Sequence, residues 1–326
     1  MADRPSQVAV VGCGVIGAAW AARFVLSGFD VTVSDPSPGA AQVLSEVFAN
    51  AEAAWSDLGL DLSRRGSWRL ADSVAEAVVD ADFVQESVPE RLDAKQAVYA
   101  EIEEVAAHGS IIASSTSGIR PTELQSAMRN PERLVVGHPY NPVYLLPVVE
   151  IVGGERTSAS AIATATSVYL EAGMHPVHVR VEIDAFIGDR LLEAVWREAL
   201  WLVHDGVATT QEIDEVITHG FGLRWAQMGL FETYRVAGGA GGFRHFLGQF
   251  GPTLEWPWTK LMDTPPFTDE LIDRIVDQSD AHSGEHGVRE LERIRDRNLV
   301  GFLKTLETNR WAAGRTIAGQ RSASEG

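Results

Sequence analysis

Only one cysteine, Cys13, occurs in the 326-residue chain. A lone thiol has no intrachain disulfide partner and no set of soft ligands beside it, which excludes a disulfide scaffold and fits a reducing compartment. Basic residues are also scarce: 27 Lys and Arg face 45 Asp and Glu, a formal net charge of −18. Such a field repels polyanions, so nucleic acid and anionic membrane surfaces are excluded as expected partners. Long apolar runs are missing too, and none approaches the roughly 18 residues needed to cross a bilayer. Residues 1–7 are too polar and too few for a signal peptide, so the expected location is the cytoplasm.

At 326 residues the chain exceeds what one hydrophobic core usually holds, and two domains are expected. From residue 7 to about 180, short β-branched runs alternate with helical patterns, as a parallel α/β sheet requires. Strands are expected at Val8–Val11, Val31–Ser34, Asp82–Glu86, Ser110–Ala113, Leu134–Gly137, Val148–Val152 and His175–Val179. Helices are expected at Val15–Ser27, Asp93–Ala107 and Ser158–Glu171, and a long amphipathic one over Asp184–His204 opens a purely helical remainder. The fold class is therefore α/β: a Rossmann-type, mostly parallel sheet domain over 1–183, then an all-helical domain over 184–326. The Gly-rich stretch 237–242 and the Trp256-Pro257-Trp258 segment read as ordered loops, and the tail beyond about residue 312 as frayed.

The run Gly12-Cys13-Gly14-Val15-Ile16-Gly17 follows the first strand and opens an Ala-rich helix, the setting in which GxGxxG binds a dinucleotide. Gly12 permits the tight turn, Gly14 lets the backbone approach a pyrophosphate, and Gly17 lets helix pack on strand. Val15 and Ile16 start the helix whose free N–H groups face the phosphates. Asp35, closing the second strand, can accept hydrogen bonds from both ribose hydroxyls and would repel a 2′-phosphate, so NAD is expected rather than NADP. FAD- and SAM-type binders fit these first 35 residues equally well, and the second half of the domain must choose.

That half carries Ser114-Ser115-Thr116-Ser117-Gly118, then Gly137-His138-Pro139-Tyr140-Asn141-Pro142, then Val148-Val149-Glu150. Taken singly, each is ordinary: a histidine among nine, a strand-end glutamate, a serine in a turn. Together, with Glu150 twelve residues after His138, they resemble the 3-hydroxyacyl-CoA dehydrogenase family over nearly the whole chain. The resemblance implies NAD-dependent oxidation of a secondary alcohol, with His138 as general base, Glu150 orienting it, and Ser117 hydrogen-bonding the substrate oxygen. It also implies Glu90 and Lys95, shortly after Glu86, on the cofactor side, and a helical second domain that forms a homodimer interface. One departure stands out among the catalytic candidates: the family has asparagine where this chain has Asp189, and since an ionised aspartate accepts hydrogen bonds but donates none, Asp189 is either protonated in place, turned to another partner, or recruited for a different substrate.

No Lys/Arg cluster suited to the phosphates of CoA accompanies these segments, whereas nine tryptophans occur, and aromatic faces attract quaternary ammonium groups. Residues 137–147, 193–203, 222–229 and 256–261 are similar to the lambda-crystallin-like subgroup of the family, which includes dehydrogenases of L-carnitine and of L-gulonate. That likeness implies L-carnitine, a 3-hydroxy acid with a trimethylammonium group, as the small-molecule substrate. Tyr140 and Trp225 are then candidates for the cationic end, and Arg224 or Arg120 for the carboxylate. A 3-hydroxyacyl-CoA or L-gulonate dehydrogenase, and a crystallin-like structural protein, remain the alternatives.

Overall fold

A computed structural model of the chain describes residues 7–238, 242–250, 288–310 and 313–324, together with 259, 266, 268–271, 273 and 274. Strands β1 (Gln7–Val11), β2 (Asp30–Ser34), β3 (Trp68–Ala71), β4 (Phe83–Glu86), β5 (Ile111–Ser114), β6 (Leu134–Pro139), β7 (Val148–Val152) and β8 (His175–Val179) make one sheet. Their order is β3-β2-β1-β4-β5-β6-β7-β8, and every neighbouring pair is parallel except β6 with β7. The winding direction reverses between β1 and β4, which opens a crevice beyond the carboxyl ends of the strands where such sheets bind ligands.

Alternate strand residues enter opposite cores. Val8 and Val10 pack under α1 (Val15–Leu26), α2 (Ala40–Leu58) and α6 (Ala159–Glu171), while Ala9 and Val11 pack under α3 (Val74–Val78), α4 (Leu92–Val105) and α5 (Pro121–Gln125). All seven expected strands are present. The eighth, β3, lies at the sheet edge with Arg69 and Leu70 exposed, so its sequence lacks the apolar run that marks the others.

The remaining elements are helical: α7 (Gly188–His204), α8 (Thr210–Val216), α9 (Gly222–Ala237), α10 (Gly242–Phe250), α11 (Val288–Thr308) and α12 (Ala313–Ser324). The expected start of α7 at Asp184 is corrected to Gly188, because Ala185 (φ 59°) and Phe186 (φ 49°) are left-handed and cannot continue a right-handed helix. One compact unit comprises Met1–Asp189 with Asp296–Gly326, and the other Arg190–Arg295.

The reason is packing. Val300, Leu303 and Ile317 complete the core under α1 and α2, and the Tyr144 hydroxyl donates to Asp296 at 2.7 Å. The tail expected to fray is instead α12, whose Arg321 donates to the carbonyl of Gly59 at 2.7 Å, to that of Leu58, and to Glu307. Trp256, Trp258 and residues 239–241 lie outside the described residues. No described helix is long and apolar enough to cross a membrane.

Candidate active site

The glycine turn closes β1 at the switch point. Gly12 has φ +94°, and a Cβ there would meet the Ser87 carbonyl oxygen at 2.6 Å, so only glycine fits. Gly14, by contrast, has open space within 4 Å of where its Cβ would be. It is the N-cap of α1 and supplies no side-chain cap, and no acidic residue occupies the helix's first turn. The amide end of α1 is thus left for an anion. Val15, 67% exposed, borders the same opening, with Ile16 packed against the core behind it.

Asp35 stands beside the turn at the end of β2, accepting the Cys13 N–H at 2.5 Å and the Ser37 N–H at 2.8 Å. Burial, and then the Asp35 charge, push the Cys13 thiol up to about 11, so it stays protonated at neutral pH. An open amide end next to a fixed carboxylate fits the pyrophosphate and ribose of a dinucleotide.

On the same edge of the sheet, the antiparallel register pairs His138 with Glu150 directly across β6 and β7. The twelve-residue spacing is therefore the length of this connection. His138 Nδ1 lies 2.8 Å from Glu150 Oε2, and both residues are buried. Glu150 Oε1 accepts the Ile187 and Gly188 N–H groups at 2.9 and 3.2 Å. Burial would raise the Glu150 carboxyl, but the His138 hydrogen bond and the two backbone donors outweigh it and hold it below its usual range. An ionised carboxylate only accepts, so Nδ1 carries the proton and the Nε2 lone pair is directed elsewhere. Asp189 Oδ2 lies 3.7 Å from that Nε2.

The two left-handed residues before α7 explain how Glu150 is reached. Such backbone costs on the order of 1–2 kcal/mol per residue. It turns the Ile187 and Gly188 amides onto Glu150 and sets the fully buried Phe186 ring 5.5 Å from the His138 ring. Tyr140 flanks His138 on another side at 5.4 Å, and its hydroxyl occupies the space a Cβ on Gly188 would need. Burial, then the Glu150 and Asp189 charges, raise the Tyr140 hydroxyl well above its usual range, so it stays a donor, hydrogen-bonded to Glu150.

Behind the β4–β5 edge lies a network that sequence reasoning noted only in part. Glu86 is fully buried and accepts from Lys95 Nζ (2.9 Å), the Val88 N–H (2.7 Å), the Tyr99 hydroxyl (2.7 Å) and the Ser114 hydroxyl (2.6 Å). Lys95, 1% exposed, also sits 3.3 Å from Glu90. Glu90 in turn accepts the Ser117 and Gly118 N–H groups and the Thr116 hydroxyl. Ser117 itself is exposed on the loop after β5. Lys95 is thus a counter-charge behind this loop, while Glu90, with a 46% exposed side chain, faces outward.

Arg120 is engaged by Glu123 at 2.8 Å and Asp184 at 3.3 Å. Arg224 and Trp225 lie on α9 in the other unit, where Trp225 packs against Phe221 with centroids 4.6 Å apart.

A dinucleotide crevice with a buried histidine–glutamate pair on its edge defines a class of NAD-linked dehydrogenases, and the chain belongs to the 3-hydroxyacyl-CoA dehydrogenase family. The family's NAD binding domain matches residues 7–183 and its C-terminal domain residues 186–273. The chain is 60% identical over 312 residues to an L-carnitine dehydrogenase/betainyl-CoA thioesterase of Agrobacterium fabrum, covering 95% of this chain but only 64% of that protein. It is 55% identical over 315 residues to an L-carnitine dehydrogenase of Mesorhizobium japonicum, covering 95% and 86% of the two chains. Among solved structures it is similar to 5-formyl-3-hydroxy-2-methylpyridine 4-carboxylic acid 5-dehydrogenase, an NAD-dependent dismutase. That likeness has a TM-score of 0.78 and 27% identity, over 93% of this chain and 99% of that one.

Proposed function

We propose that the chain oxidises the 3-hydroxyl of L-carnitine to 3-dehydrocarnitine with NAD. The observation that carries the chemistry is the His138–Glu150 pair, and the named activity of both relatives supports the choice of alcohol. NAD, when bound, supplies the hydride acceptor. His138 Nε2 takes the hydroxyl proton, and Glu150, fixed by two amides and the Tyr140 hydroxyl, stabilises the imidazolium that forms. The Ser117 hydroxyl hydrogen-bonds the substrate oxygen as its charge develops. Tyr140, beside the His138 ring, serves the cationic end of the substrate. Gly12, Gly14, Val15, Ile16 and Gly17 hold the pyrophosphate, Asp35 the ribose, and Glu90, charge-balanced by Lys95, the cofactor side of the cleft. The protein works in the cytoplasm as a homodimer, a reading supported by the exposed Leu191, Leu192 and Trp196 on α7.

The test is NADH formation, followed by its absorbance, with L-carnitine, L-gulonate and 3-hydroxybutyryl-CoA offered separately. Carnitine should react best; turnover of either rival with none of carnitine overturns the assignment. The cofactor half is tested by Asp35→Ala. Both cofactors share the pyrophosphate turn that Asp35 braces, so damage to the turn cancels in their ratio, and only the ribose contact differs. The preference for NAD over NADP should fall by about 10-fold or more, roughly the value of a charged hydrogen bond plus lost repulsion. Equal losses for the two cofactors would remove the ribose role.

A further inference from the structure

We infer that Asp189 is the residue that selects a cationic alcohol, by lying against the quaternary nitrogen while His138 engages the neighbouring hydroxyl. The inference rests on the proposed oxidation of carnitine and adds the determinant of its specificity.

The geometry leaves Asp189 little choice of neighbourhood. Its Oδ2 is 3.7 Å from His138 Nε2, the atom that must meet the substrate hydroxyl, and its side chain is 28% exposed, so it borders the space where the alcohol enters. Glu150 already meets the imidazolium through Nδ1 at 2.8 Å, so a second anion is not needed to orient the ring. A carboxylate at this place cannot donate to the substrate oxygen, and it opposes the negative charge that grows there as the proton leaves. For a neutral alcohol Asp189 is therefore a liability.

Carnitine reverses the sign. Its ammonium nitrogen is attached to the carbon next to the carbinol carbon, so any pose that puts the hydroxyl on Nε2 carries the positive charge into the neighbourhood of Asp189. A fixed anion facing a cation of low hydration is favourable there, and the cation cancels the repulsion that the carboxylate would exert on the reacting oxygen. The same carboxylate thus admits one substrate class and penalises the other.

The experiment compares L-carnitine with 3-hydroxy-5,5-dimethylhexanoate, the neutral isostere with a tert-butyl group in place of trimethylammonium, using the full chain and saturating NAD. In Asp189→Asn, which keeps the side-chain shape, kcat/KM for carnitine should fall about 100-fold, mainly through KM, while that for the isostere rises severalfold. Asp189→Glu, which restores the charge, should recover part of the preference for carnitine and guards against a misfolded variant. Equal losses on both substrates would mean that Asp189 serves the base and not the cation, and would overturn the inference, as would an unchanged ratio. If the unaltered protein oxidises the isostere but not carnitine, it is the assigned substrate that fails, a result distinct from either.

Discussion

Replacing His138 by alanine is expected to lower kcat by about 10³- to 10⁴-fold, the upper range for loss of a positioned general base. The size of the effect follows from the lack of a substitute. Among the described residues, the oxygen acids near Nε2 and Nδ1 are Asp189, Glu150 and Tyr140. Glu150 is occupied by two backbone amides, and the Tyr140 hydroxyl is held protonated. Asp189 lies beside the same position, but its Oδ2 is 3.7 Å from Nε2 and would have to move into the vacated space to reach the hydroxyl. The variant should fold, since Glu150 keeps its Ile187 and Gly188 donors and remains satisfied. Binding of NAD, measured by calorimetry, should be unchanged, because the glycine turn and Asp35 are untouched. Added imidazole should restore part of the rate through the vacated space. A loss smaller than tenfold would show that proton removal does not depend on His138.

Much of this site was legible because its parts are held by local rules. Alternation of apolar runs and helices yields the sheet, and a GxGxxG between strand and helix marks the switch point. The His138-to-Glu150 spacing is legible for a plainer reason: it is the length of one antiparallel connection, so register puts the two side by side. What could not be read depends on contacts between distant segments. Nothing in the string Asp184-Ala185-Phe186 announces two left-handed residues, since neither is glycine, and periodicity carried the helix through them. The Tyr140 hydroxyl fits only because position 188 is glycine, 48 residues away in the chain. Ile317 and Arg321 sit in a polar tail whose composition suggests fraying, yet one completes the core and the other caps the carbonyls that end α2. In each case the missing information is tertiary, and a pattern search along one chain does not contain it.

Lys95→Met is expected to destabilise the sheet-bearing unit by about 3–5 kcal/mol, the cost of leaving a buried charge without its counter-ion. Lys95 is the sole cation bonded to Glu86 among the described residues, and neither is exposed to water by more than 1%. Three donors to Glu86 remain in the variant, from Val88, Tyr99 and Ser114, which is why the expected value is a few kcal/mol and not the much larger cost of a bare buried ion. Pairing Lys95→Met with Glu86→Gln should recover more than half of the loss, since replacing both partners of a buried pair by neutral groups is often tolerated. The denaturation midpoint in urea reads both variants. A loss below about 1 kcal/mol, the range of exposed ion pairs, would contradict the burial seen here. The effect should also reach the cleft. Lys95 lies 3.3 Å from Glu90, whose carboxylate gathers the Ser117 and Gly118 amides, so without that positive charge the loop carrying Ser117 loses part of its anchor. The single variant should therefore weaken NAD-linked turnover at temperatures where the fold is still intact, and the double variant, which leaves Glu90 equally without Lys95, should regain stability without regaining the rate.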